Sequence, residues 1–500
     1  MSSEKLETLK TLLGEVSDIH SAISLLHWDQ EVMMPPKAAP GRGQQLATLS
    51  GLAHRLFTSP EIGDLLRDLH ESGTLTGDDA KMVSEGLHDY TVATKLPESF
   101  VQKLAIAQSS AYEAWVKARE ASSFADFQPH LQGMVDLMLE KADHLGYENS
   151  PYDALLDEYE RGMTADYLGG LFGDLAPRQS ALVERIVNAP NQPDLAWLDQ
   201  EWDPDAQWKL SVKILKEMGY DFEAGRQDKS VHPFSTNFDI TDVRITTRIN
   251  PRDLFSGLMG SMHEGGHALY EQGLRESDRR TPLGQSISLG IHESQSLTWE
   301  NIVGQSLPFW KRQTARLQKA YPGQLDGKTP EDLYRAVNRV QPSFIRVEAD
   351  ECTYNLHVIL RYEIERALIE GQMKVSEVPE AWNAKVKQYL GLDVPSDAMG
   401  CLQDIHWSHG SIGYFPTYAL GNLYGAQFLE AIEAALPGLW SDIEAGRFAP
   451  LLAWLRTNIH QVGRRMTASE LITHVTGKAP SAEPFMKYLE KKYLPLYGLA

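Results

Sequence analysis

Apolar residues recur at helical spacing through most of this chain, and one stretch breaks the pattern. In the opening segment Leu6, Leu9, Leu12, Leu13, Val16, Ile19, Ile23 and Leu26 fall on one side of a helix with 3.6 residues per turn. Similar periodicity predicts helices at about 102–119, 128–145, 164–188, 205–219, 332–340, 344–371 and 421–436. Pro/Gly-rich breaks such as Met33–Gly43 and Ala189–Pro193 separate them. Helices patterned this way must bury one stripe against one another. Residues 231–250 read differently: Val243, Ile245, Thr247 and Ile249 alternate among dense β-branched neighbours. The expectation is a mainly α fold with one or two strands. Such strands either extend a bound peptide or serve as a stabilising hairpin.

The chain has 500 residues and is 42% hydrophobic, enough for a large core. Its formal net charge of −21 argues against nucleic acid or an anionic membrane as partner. Two cysteines, Cys352 and Cys401, support neither a disulfide framework nor a cysteine metal cluster. The N-terminus MSSEKLETLK is polar and lacks the pattern of a secretory signal. No run of about 18 apolar residues predicts a membrane span. A cytoplasmic protein is expected.

Residues 263–267 read HEGGH within a segment, about 252–274, that reads as a helix. Positions i and i+4 share a helix face, so His263 and His267 can bind one zinc ion together. Glu264 then lies beside the metal without being a ligand. Zinc lowers the pKa of a neighbouring water toward about 7, and a carboxylate there can take the proton and pass it on. Gly265 and Gly266 each cost about 1 kcal/mol in a helix interior. Their presence implies close approach by another backbone or a ligand. A catalytic zinc needs a third protein ligand and an open position. Glu271 cannot be that ligand, because residues 263 to 271 span about 12 Å of helix axis. Tyr270 and Gly273 also break the three-histidine pattern. After a polar reversal at Arg275–Gly284, a second helix from about residue 291 can bring His292 or Glu293 to the metal. Glu293 is the choice, since two histidines and one glutamate form a common hydrolytic zinc set.

Several motifs in order resemble the M32 carboxypeptidases, the carboxypeptidase Taq type. They are His232-Pro233-Phe234, Asp242-Val243-Arg244-Ile245-Thr246, HEGGH, His292-Glu293-Ser294-Gln295, Ile345–Asp350 and Gly400–Trp407. Leu25–Pro35 and Gly413–Asn422 are also similar to the family, so the resemblance covers nearly the whole chain. It implies a mostly helical, zincin-like single chain, saddle-shaped, with a small sheet beside a deep active-site groove. We divide it into a helical N-terminal part, 1–225, and a catalytic part, 226–500. The resemblance further implies a cytoplasmic zinc- or cobalt-dependent carboxypeptidase, usually a homodimer. Such an enzyme removes single C-terminal residues from peptides with broad preference. In the family's pattern His263, His267 and Glu293 bind the metal and Glu264 is the general acid/base.

The remaining chemistry needs donors for an oxyanion. The donor-rich stretch from His406 to Tyr418 offers Tyr418 first, then Tyr414 and His406; packing of these rings in the core is the competing reading. A carboxypeptidase must also hold a free α-carboxylate, for which arginine's planar fork is suited. Arg346 is the first candidate and Arg244 the second, with an Arg346–Asp350 ion pair within one helix as the alternative for Arg346. Asp350, Glu300 and Asp404 are candidate acceptors for the ligand imidazoles. Two other readings compete: a zinc oligoendopeptidase, and a helical scaffold in which HEGGH has no chemistry.

Overall fold

Leu6, Leu9, Leu13 and Val16 lie buried along a first helix, Ser2–Val32, as their spacing requires. The computed structural model describes residues 2–499. The predicted helices are present at Glu98–Ala121, Phe124–Leu145, Ala165–Val187, Pro204–Met218, Pro330–Val337 and Pro416–Ala435. Local chemistry sets several starts. Thr164 and Asp203 accept from backbone N–H groups of the first turn, and Thr329 forms a capping box with Asp332. Among the described residues no helix is long and apolar enough to cross a membrane.

Other helix ends shift by a few residues, and two stretches differ in kind from expectation. The break at Met33–Gly43 is shorter, because a helix resumes at Ala39 after a 3-10 turn at Pro36–Ala38. Pro40 falls in that helix's first turn, where a missing N–H costs nothing. The stretch 344–371 is not one helix: Arg346–Glu348 is a 3-10 turn and the helix begins at Tyr354. Asp350 causes the break. Its carboxylate accepts from the backbone N–H of Gln341, Cys352 and Thr353 at 2.9, 2.9 and 3.1 Å, which folds the chain into a turn.

The sheet has three strands: β1 (Gln227–Lys229), β2 (Ser235–Asp239) and β3 (Asp242–Thr247), in the order β1-β3-β2. β3 is central, with Val243, Ile245, Thr246 and Thr247 buried. β2 pairs with it antiparallel, with Ser235 opposite Ile245. β1 pairs with it parallel, with Gln227 opposite Ile245. The polar sequence of β1 carries no alternation, so the strand pattern could not show it. On the outer side of β2 the first helix approaches, and Ser21 Oγ donates to Phe238 O at 2.6 Å.

One core runs from Phe100 to Tyr497 and joins segments on both sides of residue 225. A smaller core gathers Leu6 to Tyr90 with Leu283. Ion pairs link this first layer to the body. Arg464 binds Asp89 through two 2.7 Å bonds, and Arg465 bridges Asp78 and Asp278.

Candidate metal centre

HEGGH lies inside the helix Ser256–Glu271. The helix Leu289–Leu297 runs antiparallel to it and continues as a π-helical turn, Thr298–Gly304. The close approach implied by the paired glycines is present. A Cβ on Gly266 would lie 2.6 Å from Gln295 O and from Ser296 Cα, both backbone atoms of the second helix. A Cβ on Gly265 would lie 2.5 Å from Leu215 Cδ2. The second helix is itself tied down at its start. Ser288 accepts from Ile291 N at 3.1 Å, and buried Glu160 accepts from Gly290 N at 3.0 Å and from the Tyr424 hydroxyl at 2.9 Å.

This packing brings His263, His267 and Glu293 together, with one ligand atom of each within 4.8 Å of the others. Glu293 Oε2 lies 3.4 Å from His267 Nε2 and 4.0 Å from His263 Nε2. Glu300, seven residues after Glu293 and on the π-helical turn, meets His263 Nδ1 at 2.8 Å. Of the three carboxylates nominated to hold imidazoles, Glu300 is the one that does. Asp350 caps backbone, and Asp404 binds arginines. Glu271 is not beside the ligand atoms; it meets His292 Nε2 at 2.7 Å. His292 in turn faces His267 Nδ1 at 2.6 Å.

The electrostatics fit a cation. Burial would raise the Glu293 carboxyl, yet His267, His263 and His292 outweigh it and hold it at about 2. Burial lowers His267 to about 4, so its ring is neutral, the form that ligates. Burial also works to lower His263, but Glu300, Glu293 and Glu264 outweigh it and raise it to about 10. Burial lifts Glu264 to about 7, opposed by His263 and reinforced by Glu293 and Glu300. The buried carboxylates thus demand positive charge between them. A proton on His263 meets part of that demand, and a divalent ion among the three ligand atoms meets it more fully.

A second cluster adjoins this one. Arg346 donates from Nε and Nη2 to Asp404 Oδ1 at 3.1 and 2.9 Å, and from Nη1 to the Tyr354 hydroxyl at 3.0 Å. Its partner is Asp404, not Asp350, because the two expected neighbours are not on one helix. Arg361 shares the same carboxylate, with Nε 2.7 Å from Asp404 Oδ2. The Arg346 guanidinium also lies 4.9 Å from the Tyr418 ring centre. Tyr414 and Tyr418 lie 5.3 Å apart, and His406 lies 5.4 Å from Tyr414. Burial lowers His406 to about 4, leaving it neutral. Burial raises Tyr418 well above its ordinary value, with Tyr414, Tyr354 and Glu293 reinforcing the shift.

Tyr418 rides on the helix Pro416–Ala435, which presses Gly421 against Glu293; a Cβ there would be 2.6 Å from Glu293 Cγ. Arg244 stands apart from these groups. Its Nε and Nη2 each donate to Asp242 at 2.8 Å, and its guanidinium lies 4.5 Å from the centre of the Trp28 ring. Nothing in the sequence points to Tyr354 or Arg361, and the spacing that brings Glu271 and His292 forward offers them as metal ligands, not as partners of each other.

Known proteins share this arrangement of chain. The sequence profile of the carboxypeptidase Taq (M32) metallopeptidase family matches residues 8–493. The chain is 42% identical to thermostable carboxypeptidase 1 of Thermus thermophilus, with 97% of each chain covered. It is 38% identical to carboxypeptidase 1 of Bacillus subtilis, with 98% of each covered. The crystal structure of the M32 carboxypeptidase of Deinococcus radiodurans R1 is 40% identical and superposes with a TM-score of 0.97, over 99% of this chain and 100% of that one. The helical body, the antiparallel helix pair with its candidate metal ligands, and near-full-length kinship agree, and the chain belongs to the carboxypeptidase Taq (M32) metallopeptidase family, as a metal-dependent carboxypeptidase.

Proposed function

We propose that the enzyme is a zinc carboxypeptidase of broad preference, in which His263, His267 and Glu293 hold the ion and Glu264 moves the proton. The observation that carries this reading is the convergence of one Glu and two His ligand atoms within 4.8 Å, beside a buried carboxylate lifted to about 7. Cobalt can replace zinc in such a donor set. The bound ion supplies Lewis-acid polarisation of the scissile carbonyl and of a water.

Everything else falls to the chain. Glu264 takes the proton of the attacking water and returns it to the leaving nitrogen. The Tyr418 hydroxyl, with neutral His406 nearby, donates to the oxyanion as charge develops there. Tyr414 packs beside Tyr418 and contacts the substrate. Arg346 holds the α-carboxylate. Two guanidiniums share one Asp404 carboxylate, so their cluster keeps an unbalanced positive charge that suits an anion. Arg244, with its fork taken by Asp242, is the weaker candidate. A cytoplasmic homodimer completes the reading, on kinship with the family alone.

Hydrolysis of a mixed peptide set, read by mass spectrometry with and without added zinc or cobalt, tests the reading. Single residues should leave from free C-termini only when metal is present. Equal cleavage of C-terminally amidated peptides would favour the oligoendopeptidase instead. A purified protein that neither retains metal nor hydrolyses any peptide would sink the enzyme mechanism altogether.

A further inference from the structure

Behind His267, on the side away from Glu293, four side chains form a line of hydrogen bonds. His267 Nδ1 lies 2.6 Å from His292 Nδ1. His292 Nε2 lies 2.7 Å from Glu271 Oε1. Asn237 Nδ2, from β2, donates to Glu271 Oε2 at 2.5 Å. The His292 ring is gripped as well. It lies 4.6 Å from the His267 ring and 5.1 Å from the Tyr270 ring. Tyr270 is fixed in turn, its hydroxyl accepting from Ile287 N at 3.1 Å and its ring 5.1 Å from that of His460.

The proton count along this line has one solution. With a cation on its Nε2, a neutral His267 carries its one proton on Nδ1. That N–H points at Nδ1 of His292, which must therefore accept. A neutral imidazole that accepts at Nδ1 carries its proton on Nε2, and here Nε2 faces a carboxylate oxygen. Glu271 accepts that proton's bond on one oxygen and the Asn237 amide on the other. With the cation on His267 Nε2, every other placement sets two donors or two lone pairs face to face.

We infer that Glu271 and His292 are positioning residues: acting in series, they hold His267 in its Nδ1–H tautomer and fix its ring so that Nε2 is presented to the metal. The inference rests on the proposed ligand set. The two ligand imidazoles are then supported unequally. His263 meets its carboxylate, Glu300, directly at 2.8 Å, whereas His267 reaches one only through a second imidazole. The interposed ring comes from the facing helix. Glu271 lies one turn beyond His267 on the same helix, but its two oxygens are taken by His292 Nε2 and the Asn237 amide, and His292 occupies the Nδ1 edge of His267.

Zinc affinity, measured by competition with a chromogenic chelator, tests this on the full-length enzyme, Glu271→Gln, His292→Phe and the double variant. Loss of such a partner lowers metal affinity about 10- to 100-fold. The double variant should bind no more weakly than His292→Phe, because both residues act through one line. Single variants within twofold of the parent, or losses that multiply in the double variant, would overturn the inference. A parent enzyme that takes up no zinc would instead overturn the ligand assignment. Should a variant fail to unfold cooperatively, the parent carries the test. Nitrogen-15 histidine spectra of the zinc-loaded enzyme should show the His292 proton on Nε2, and a His292 proton on Nδ1 would overturn the assignment.

Discussion

Two buried charge clusters lie side by side in this enzyme, and they are unbalanced in opposite directions. Around His263 and His267 the carboxylates Glu264, Glu293 and Glu300 crowd together, and the cluster lacks positive charge. Around Asp404 two guanidiniums share one carboxylate, and the cluster lacks negative charge. Buried charge without a partner costs several kcal/mol per ion, so each cluster favours a partner of the opposite sign. Each fits a visitor of the opposite sign: a divalent cation in the first, an α-carboxylate in the second. Tyr354, Tyr414 and Tyr418 lie between them and sense both, since Glu293 and Arg346 act on all three. Under the proposed function, a peptide whose scissile carbonyl lay at a bound metal and whose α-carboxylate lay at Arg346 would satisfy both clusters at once.

The largest expected effect comes from cutting one carboxylate out of the acidic cluster without removing a ligand. Glu264→Gln should keep its metal, by elemental analysis of the purified variant, and lose about 10³- to 10⁴-fold in kcat. An active variant would remove Glu264 from the proton transfer.

Next in size is the carboxylate at the centre of the basic cluster. Asp404→Asn leaves two buried guanidiniums without their counter-charge, at a cost of about 3–5 kcal/mol in stability by denaturant titration. The same pair sets a pH dependence. Burial would raise the Asp404 carboxyl, but Arg361 and Arg346 outweigh it and hold it far below the usual carboxylate range. A carboxylate depressed in the folded state binds its proton more readily when unfolded. Its stabilising contribution is therefore complete above the unfolded value of about 3.9 and is lost as pH falls below it. Acid titration should find the Asp404→Asn variant flatter than the parent below about pH 4. Parallel curves would mean that the shared carboxylate contributes nothing.

Arg346→Gln should be milder for stability, because Arg361 still balances Asp404. It should cost about 10²-fold in kcat/KM for peptides with a free C-terminus, with the loss mainly in KM. The ratio of free-acid to amidated peptide is the deciding quantity. An unchanged ratio would move carboxylate recognition away from this cluster.

The two clusters were unequally legible in the sequence. The acidic one sits on two helices with strong local signals. The i, i+4 spacing of His263 and His267 fixes a shared face, and the glycine pair announces a close neighbour, which the backbone at Gln295 and Ser296 supplies. Geometry ruled out Glu271 and left His292 or Glu293 on the facing helix, and the common set of two histidines and one glutamate selects Glu293. The basic cluster is assembled from a 3-10 turn at Arg346, a helix at Arg361 and a loop at Asp404, and no periodicity connects them. There the nearest sequence neighbour, Asp350, was the natural partner, yet it caps backbone N–H groups and ends the expected helix. The same limit hid β1, a three-residue polar strand recognisable only by its pairing with β3. Local pattern finds residues that one helix places together; it does not find those that long-range packing places together.

The glycines that announced the acidic cluster also give the finest test of how it is built. They are adjacent, yet they face different obstacles. A methyl group at Gly266 meets backbone of the facing helix at 2.6 Å, and backbone cannot turn aside. Gly266→Ala should push the two helices apart at a cost of about 1–3 kcal/mol, and weaken zinc binding because Glu293 moves with its helix. At Gly265 the obstacle is Leu215 Cδ2, the end of a flexible side chain. The gain in helix propensity of about 1 kcal/mol then offsets much of the repacking. Gly265→Ala should change stability by less than about 1 kcal/mol and leave zinc affinity near the parent value. Thermal unfolding and zinc competition on the two variants would separate them. Equal losses would mean that the helix interior, and not the facing backbone, requires both glycines.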